Sequence, residues 1–225
     1  MTIKITLREI YEKMEQQYNV DAWWNKEIPF EIIVGAILVQ NTNWNNAQLA
    51  LDNLHKRQCL SLHELSMTNL SDLQTWIRPS GFYKQKGTTL KQIVDMLVLE
   101  YKGNLELFFE NDTNMIRKQL LKVKGIGFET ADDIILYAAN KPMFVVDKYT
   151  IRILSRIGII RNNLKYQAVQ DLFHENLPKD TALFQKLHAL FVSLGQDVCK
   201  TKPLCHTCCL NSICESNLKN LFSRT

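Results

Sequence analysis

Two glycines, Gly125 and Gly127, stand two residues apart in a 225-residue chain that holds only 8 glycines. They lie in the turn Val123-Lys124-Gly125-Ile126-Gly127, where glycine permits a positive φ or lets another molecule come close to the backbone. Just beyond, Thr130, Ala131, Ile134, Ile135 and Ala138 recur at helical spacing. The glycines therefore head a helix, where free N–H groups and the positive end of the dipole suit a phosphate. Some twenty residues on, Val145-Val146 leads to Asp147 at the start of another helix, with capping as its local role. A phosphate clamp and a carboxylate at a set separation are parts of an enzyme that grips a DNA backbone and works beside it.

The rest of the chain reads as helical. Leu7, Ile10, Tyr11, Met14 and Tyr18 form one stripe, and Ile93, Met96, Leu97 and Tyr101 form another. The segment from Pro29 to Gln40 is apolar almost all round, which makes it a central core helix. It runs into Gln40-Asn41-Thr42-Asn43-Trp44-Asn45-Asn46, with Thr42 or Asn43 as the next N-cap. The remaining amides are free to meet an orphaned base or its phosphates. Trp23 and Trp24 are adjacent in a loop, where they either plug a gap between helices or stack on bases. Residues 78–87 mix small, aromatic and basic side chains at a helix start, a weaker phosphate signal with an ordinary turn as the alternative.

Charge is uneven. Residues 141–225 hold 12 Lys and Arg against 6 Asp and Glu, a net +6, whereas residues 1–140 hold 15 against 17, a net −2. A basic C-terminal third fits a polyanionic partner or a solvated face. No apolar run reaches the roughly 18 residues that span a bilayer, and the N-terminus lacks the apolar core of a signal peptide. A soluble, cytoplasmic protein without membrane contact is expected, nucleoid-associated if it binds DNA, and nothing requires more than a monomer.

The C-terminal run is Cys199-x5-Cys205-x2-Cys208-Cys209-x4-Cys214, and Cys59 is the one other cysteine. In a cytoplasmic chain such a run is metal-binding rather than disulfide-forming. One close pair flanked by single cysteines fits an iron–sulfur cubane better than zinc, for which His206 could serve as a ligand. The third ligand is Cys208 or Cys209, with Cys208 preferred.

The hairpin with Thr130-Ala131, the Val145-Val146-Asp147 segment and the cysteine tail together resemble the helix-hairpin-helix DNA glycosylases of the endonuclease III type. The resemblance implies an all-α fold of two helical lobes. Residues 29–140 would form a six-helix barrel carrying the helix-hairpin-helix, and residues 1–28 with 141–225 a lobe ending in a Cys-ligated iron–sulfur loop. Its cofactors would be a 4Fe–4S cluster on Cys199, Cys205, Cys208 and Cys214 and a monovalent cation at the hairpin. The partner implied is double-stranded DNA containing a damaged base, held by Gln40, Asn41, Lys124, Gly125, Ile126, Gly127 and Thr130, with Gln40 as the wedge filling the flipped base's place. Asp147 would be the catalytic carboxylate.

Two departures set the subtype. Strand-cleaving members have a lysine two residues after the second glycine, where this chain has Glu129, and a carboxylate cannot form a Schiff base. The spacing between the first two cysteines is one residue shorter than the common pattern. Trp23, Trp24, Trp44 and Glu129 look like the base pocket of the bacterial 3-methyladenine glycosylase branch, although Asn25 replaces its proline. The expectation is a monofunctional glycosylase for alkylated purines. An endonuclease III-like enzyme for oxidised pyrimidines and a non-catalytic DNA-binding protein are the alternatives.

Overall fold

Helical periodicity is what the structure bears out. The computed structural model describes residues 3–21, 28–161 and 164–217, and no strand occurs among these residues. In chain order the helices are α1 (Ile3–Gln17), α2 (Pro29–Leu38), α3 (Trp44–Lys56), α4 (Leu62–Met67), α5 (Leu70–Trp76) and α6 (Tyr83–Tyr101). They continue with α7 (Leu105–Glu110), α8 (Thr113–Lys122), α9 (Phe128–Asp133), α10 (Lys148–Ile157), α11 (Tyr166–Asn176) and α12 (Thr181–Asp197). A π-helical turn, Ile134–Ala138, prolongs α9. The chain divides into two compact units, Lys26–Lys141 and a second made of Met1–Asn25 with Pro142–Thr225.

In the contiguous unit, Pro29 opens α2 and every later residue of that helix is buried. Proline suits this place because its fixed φ is already helical and its missing N–H would have had no partner. Phe30, Ile32, Ile33, Val34, Ala36, Ile37 and Leu38 form the centre against which α3, α6 and the π turn pack. Asn43 starts α3 by accepting the Asn46 N–H on its side-chain oxygen at 3.0 Å, as a cap should. The C-terminal end of α2 is closed by Lys86 of α6, which is 3% exposed. Its ammonium donates to Leu38 O at 2.8 Å and Ser80 O at 2.6 Å, satisfying carbonyls that a helix end leaves bare. Burial pushes the Lys86 pKa down to about 8. This lysine serves the core and is not available to a phosphate, which removes one component of the weak signal in residues 78–87.

The second unit packs α1, through Leu7, Ile10 and Met14, on α11 and α12. Phe144 stacks on Phe173 with ring centroids 3.7 Å apart, and Phe184 and Phe191 meet it edge-on. Phe144 lies in an extended segment that has no neighbouring strand, so its backbone groups need other partners. Side chains of α11 supply them. His174 Nε2 accepts the Phe144 N–H at 3.0 Å, and Gln170 Nε2 donates to Phe144 O at 2.6 Å. The Val146 N–H reaches the Tyr166 hydroxyl at 3.3 Å. These bonds fix the strand-like approach to Asp147.

Candidate functional site

The hairpin lies between α8 and α9 in the contiguous unit. Gly125 has φ +99°, a left-handed conformation that favours glycine, and Thr89 occupies the space a Cβ there would need. Gly127 differs, since its backbone is extended and any residue could adopt it. What Gly127 provides is openness, because nothing lies within 4 Å of where its Cβ would be. Gly127 caps α9, and Gly125, Gly127 and Lys124 are exposed while Ile126 is buried beneath them.

Other helices hold this turn in place. Gln40, just past α2, donates Nε2 to Gly125 O at 3.1 Å and to Thr130 Oγ1 at 2.8 Å. Thr89 Oγ1 donates to Lys124 O at 2.9 Å. Arg117 of α8 grips Asp132 of α9 at two points, Nε to Oδ1 at 2.7 Å and Nη2 to Oδ2 at 2.8 Å. Its guanidinium also lies 4.9 Å from the centre of the Phe128 ring. Gln40, Gly125 and Thr130, named from the sequence, are thus brought together. Thr89, Arg117 and Asp132 were not anticipated. Nothing local in the sequence marks Thr89, whereas Arg117 and Asp132 are charged residues on opposite sides of a tight hairpin.

Within the amide cluster, Asn46 Nδ2 donates to Thr42 Oγ1 at 2.9 Å, so Thr42, Asn43 and Asn46 shape the loop. Asn41 is exposed with φ +54°. Trp44 is half-buried, its ring edge 3.6 Å from the Cβ position of Gly35 on α2. Glu129 is exposed in the first turn of α9. Trp23 and Trp24 lie outside the described residues. Phe82, another residue the sequence did not single out, is 62% exposed and left-handed (φ +46°) at the start of α6.

Asp147 belongs to the second unit. It caps α10, its Oδ1 accepting the Thr150 N–H at 2.7 Å, and it is 6% exposed. His188 of α12 is buried within its electrostatic reach. Burial holds that imidazole below its ordinary pKa, and the Asp147 carboxylate opposes the shift.

At the far end of α10, Arg156 reaches the cysteine loop. Its Nη1 lies 3.2 Å from Cys199 Sγ and 2.6 Å from Lys200 O, and Nη2 lies 3.1 Å from Thr201 O. Cys199, Cys205, Cys208 and Cys214 line one cavity of about 230 Å³ together with Arg156, Asn211 and Asn217, and Cys209 is not among its walls. Cys209 instead donates its N–H to Gln17 Oε1 at 2.9 Å. Among the described residues no group of three His, Cys, Asp or Glu side chains is gathered so as to hold a single metal ion. No helix among them is long and apolar enough to cross a membrane.

Residues 34–179 match the HhH-GPD superfamily of base excision DNA repair proteins. Over 210 residues the chain is 39% identical to a candidate DNA repair glycosylase of Methanocaldococcus jannaschii, covering 92% of this chain and 95% of the relative. The chain belongs to the HhH-GPD superfamily, and it is a DNA glycosylase of base excision repair. Endonuclease III of Thermotoga maritima is 29% identical over 188 residues, 83% of each chain. Among solved structures, the H. pylori 3-methyladenine DNA glycosylase MagIII bound to 1,N6-ethenoadenine matches with a TM-score of 0.75 and 27% identity, covering 87% of this chain and 98% of its own. A trapped endonuclease III–DNA covalent intermediate shares the fold, with a TM-score of 0.84 at 22% identity over 98% of this chain and all of the other.

Proposed function

We propose that this glycosylase excises alkylated purines such as 3-methyladenine by hydrolysis alone and leaves the strand uncut at the abasic site. Glu129 carries the reading. It occupies the hairpin position at which strand-cleaving relatives have lysine, and a carboxylate forms no Schiff base with C1′. The likeness to the H. pylori 3-methyladenine glycosylase points the same way.

In this reading the hairpin residues Lys124, Gly125, Ile126, Gly127 and Thr130, with Asn41, hold the DNA backbone, and the hairpin carbonyls would hold a monovalent cation whose charge would attract the DNA backbone. Gln40 leaves its bonds to Gly125 and Thr130 to fill the gap opened by the flipped base. Trp23, Trp24, Trp44 and Glu129 line the pocket. Flipping costs a few kcal/mol, and electron-rich indole faces return about 2 kcal/mol for a desolvated cationic base. The C1′–N bond breaks with its electron pair going to the base, which quenches the base's positive charge. Asp147 stabilises the oxocarbenium ion, and water adds to C1′ as the carboxylate takes its proton. The cap engages Oδ1, and in this reading Oδ2 serves the chemistry.

We also propose that Cys199, Cys205, Cys208 and Cys214 hold a 4Fe–4S cluster. A zinc ion draws four thiolates in to about 2.3 Å, whereas these line a cavity of about 230 Å³. That room suits a cubane, and the Arg156 guanidinium offsets its thiolate charge. When bound, the cluster ties four points of a loop that has little secondary structure of its own.

The test is incubation with duplexes carrying 3-methyladenine, thymine glycol or an abasic site, with and without borohydride. Release of 3-methyladenine without nicking or a trapped adduct is expected. A borohydride-trapped complex sinks the hydrolytic reading. Release of thymine glycol alone would establish the second reading, an oxidised-pyrimidine enzyme, which the relatives named endonuclease III favour.

A further inference from the structure

Two consecutive carbonyls of the hairpin, Lys124 O and Gly125 O, are held by side chains from outside the hairpin, Thr89 and Gln40. In a trans peptide the C=O and the following N–H point to opposite sides of one rigid plane. Fixing Lys124 O therefore fixes the direction of the Gly125 N–H. That N–H makes no hydrogen bond among the described residues, and Gly125 is exposed. Thr89 is only 4% exposed, too deep to meet DNA itself, and it fills the space from which Gly125 withholds a Cβ. The hydroxyl and the glycine therefore operate as a pair. Glycine makes the left-handed turn possible, and the hydroxyl selects which way its leading peptide faces.

We infer that Thr89 is a positioning residue for DNA binding, turning the Lys124–Gly125 peptide so that the Gly125 N–H is presented to a phosphate. The inference rests on the proposal that the hairpin grips the DNA backbone. The ordinary alternative is that Thr89 merely ties α6 to the turn, in which case its hydroxyl affects stability alone.

Thr89→Val keeps the volume and the β-branch and removes only the donor, and Thr89→Ser restores it. The measurements are the Kd for an undamaged duplex well below the melting transition, the single-turnover rate of the saturated complex, and the amide resonance and hydrogen exchange of Gly125. Thr89→Val is expected to weaken binding about five-fold, the size of one neutral hydrogen bond, and to shift the Gly125 resonance. The loss falls on Kd rather than on the rate of the saturated complex, and Thr89→Ser recovers the affinity. A wild-type Kd in Thr89→Val overturns the inference, as does a loss of affinity that serine fails to rescue. If the wild-type protein binds no duplex, the hairpin reading fails and takes this one with it. If it binds and Thr89→Val binds equally, only the role of Thr89 falls.

Discussion

Arg117 and Asp132 form a two-point ion pair that joins the helices on either side of the hairpin, with the Asp132 side chain fully buried and that of Arg117 15% exposed. Removing one member of such a pair strands a charge in the interior, whereas replacing both with apolar residues of similar size avoids that penalty. Arg117→Met should destabilise the protein by about 3–5 kcal/mol, and the double variant Arg117→Met/Asp132→Leu should recover most of the loss. Urea denaturation of the single and double variants measures this. Equal instability in both would show that the pair's geometry, not the stranded carboxylate, is what matters.

Asp147 combines a cap with a proposed catalytic role, and the two can be separated. Asparagine caps as well as aspartate, so Asp147→Asn should retain the melting temperature and duplex affinity while base release falls by at least about 100-fold. Asp147→Ala should lose the cap as well, about 1 kcal/mol of stability. Calorimetry beside single-turnover base release distinguishes the two roles, and an active Asp147→Asn would remove Asp147 from the mechanism.

Glu129 is exposed at the first turn of α9, outside the packed core. Glu129→Lys introduces an amine at the position used by strand-cleaving relatives. Borohydride should trap a covalent complex of this variant with abasic DNA and none of the wild type. Absence of trapping in Glu129→Lys would mean that position 129 does not reach C1′.

Helix starts were readable from local chemistry, because Pro29, Asn43 and Asp147 each satisfy or pre-empt backbone groups a few residues away. The class of the fold followed from side-chain periodicity for the same reason. Lys86 was not readable, since a lysine among basic neighbours looks like surface until the end of α2 is folded against it. Thr89 was hidden in a similar way, and so were the hairpin bonds of Thr89 and of Gln40, a residue that the sequence did mark. Their partners, Lys124 and Gly125, are 35 and 85 residues distant, and no local pattern encodes such a pairing. The sequence prefers Cys208 to Cys209 without separating them, and the folded loop gives the two different surroundings.

Lys86 also predicts a pH dependence. Its folded pKa, about 8, lies below the ordinary 10.5, so between these values the folded state releases a proton that the unfolded state keeps. Stability should therefore rise as pH increases from 8 toward 10.5, with the full cost of the buried charge present below pH 8. Urea unfolding at a series of pH values should show this rise in the wild type and a flatter profile in Lys86→Met. Parallel profiles would mean that the two carbonyl acceptors hold the ammonium charged throughout.

Arg156 bonds to Cys199 Sγ, Lys200 O and Thr201 O, fastening the cysteine loop to the helix that Asp147 begins. With the proposed cluster bound, Arg156→Met should release iron to a chelator faster than wild type and lower the melting temperature. Iron per chain, followed over time with the chelator present, is the measurement. Unchanged retention would confine Arg156 to the carbonyls.

The division of the chain also dictates an order of assembly. Residues 26–141 are contiguous and can collapse while synthesis continues, since domains form as units during translation. α1 precedes by more than 150 residues the helices α11 and α12 on which it packs, so its apolar face must wait for them to be made. The cysteine loop is completed later still. Leu7, Ile10 and Met14 are therefore open to chaperone capture on the nascent chain until α11 and α12 have followed.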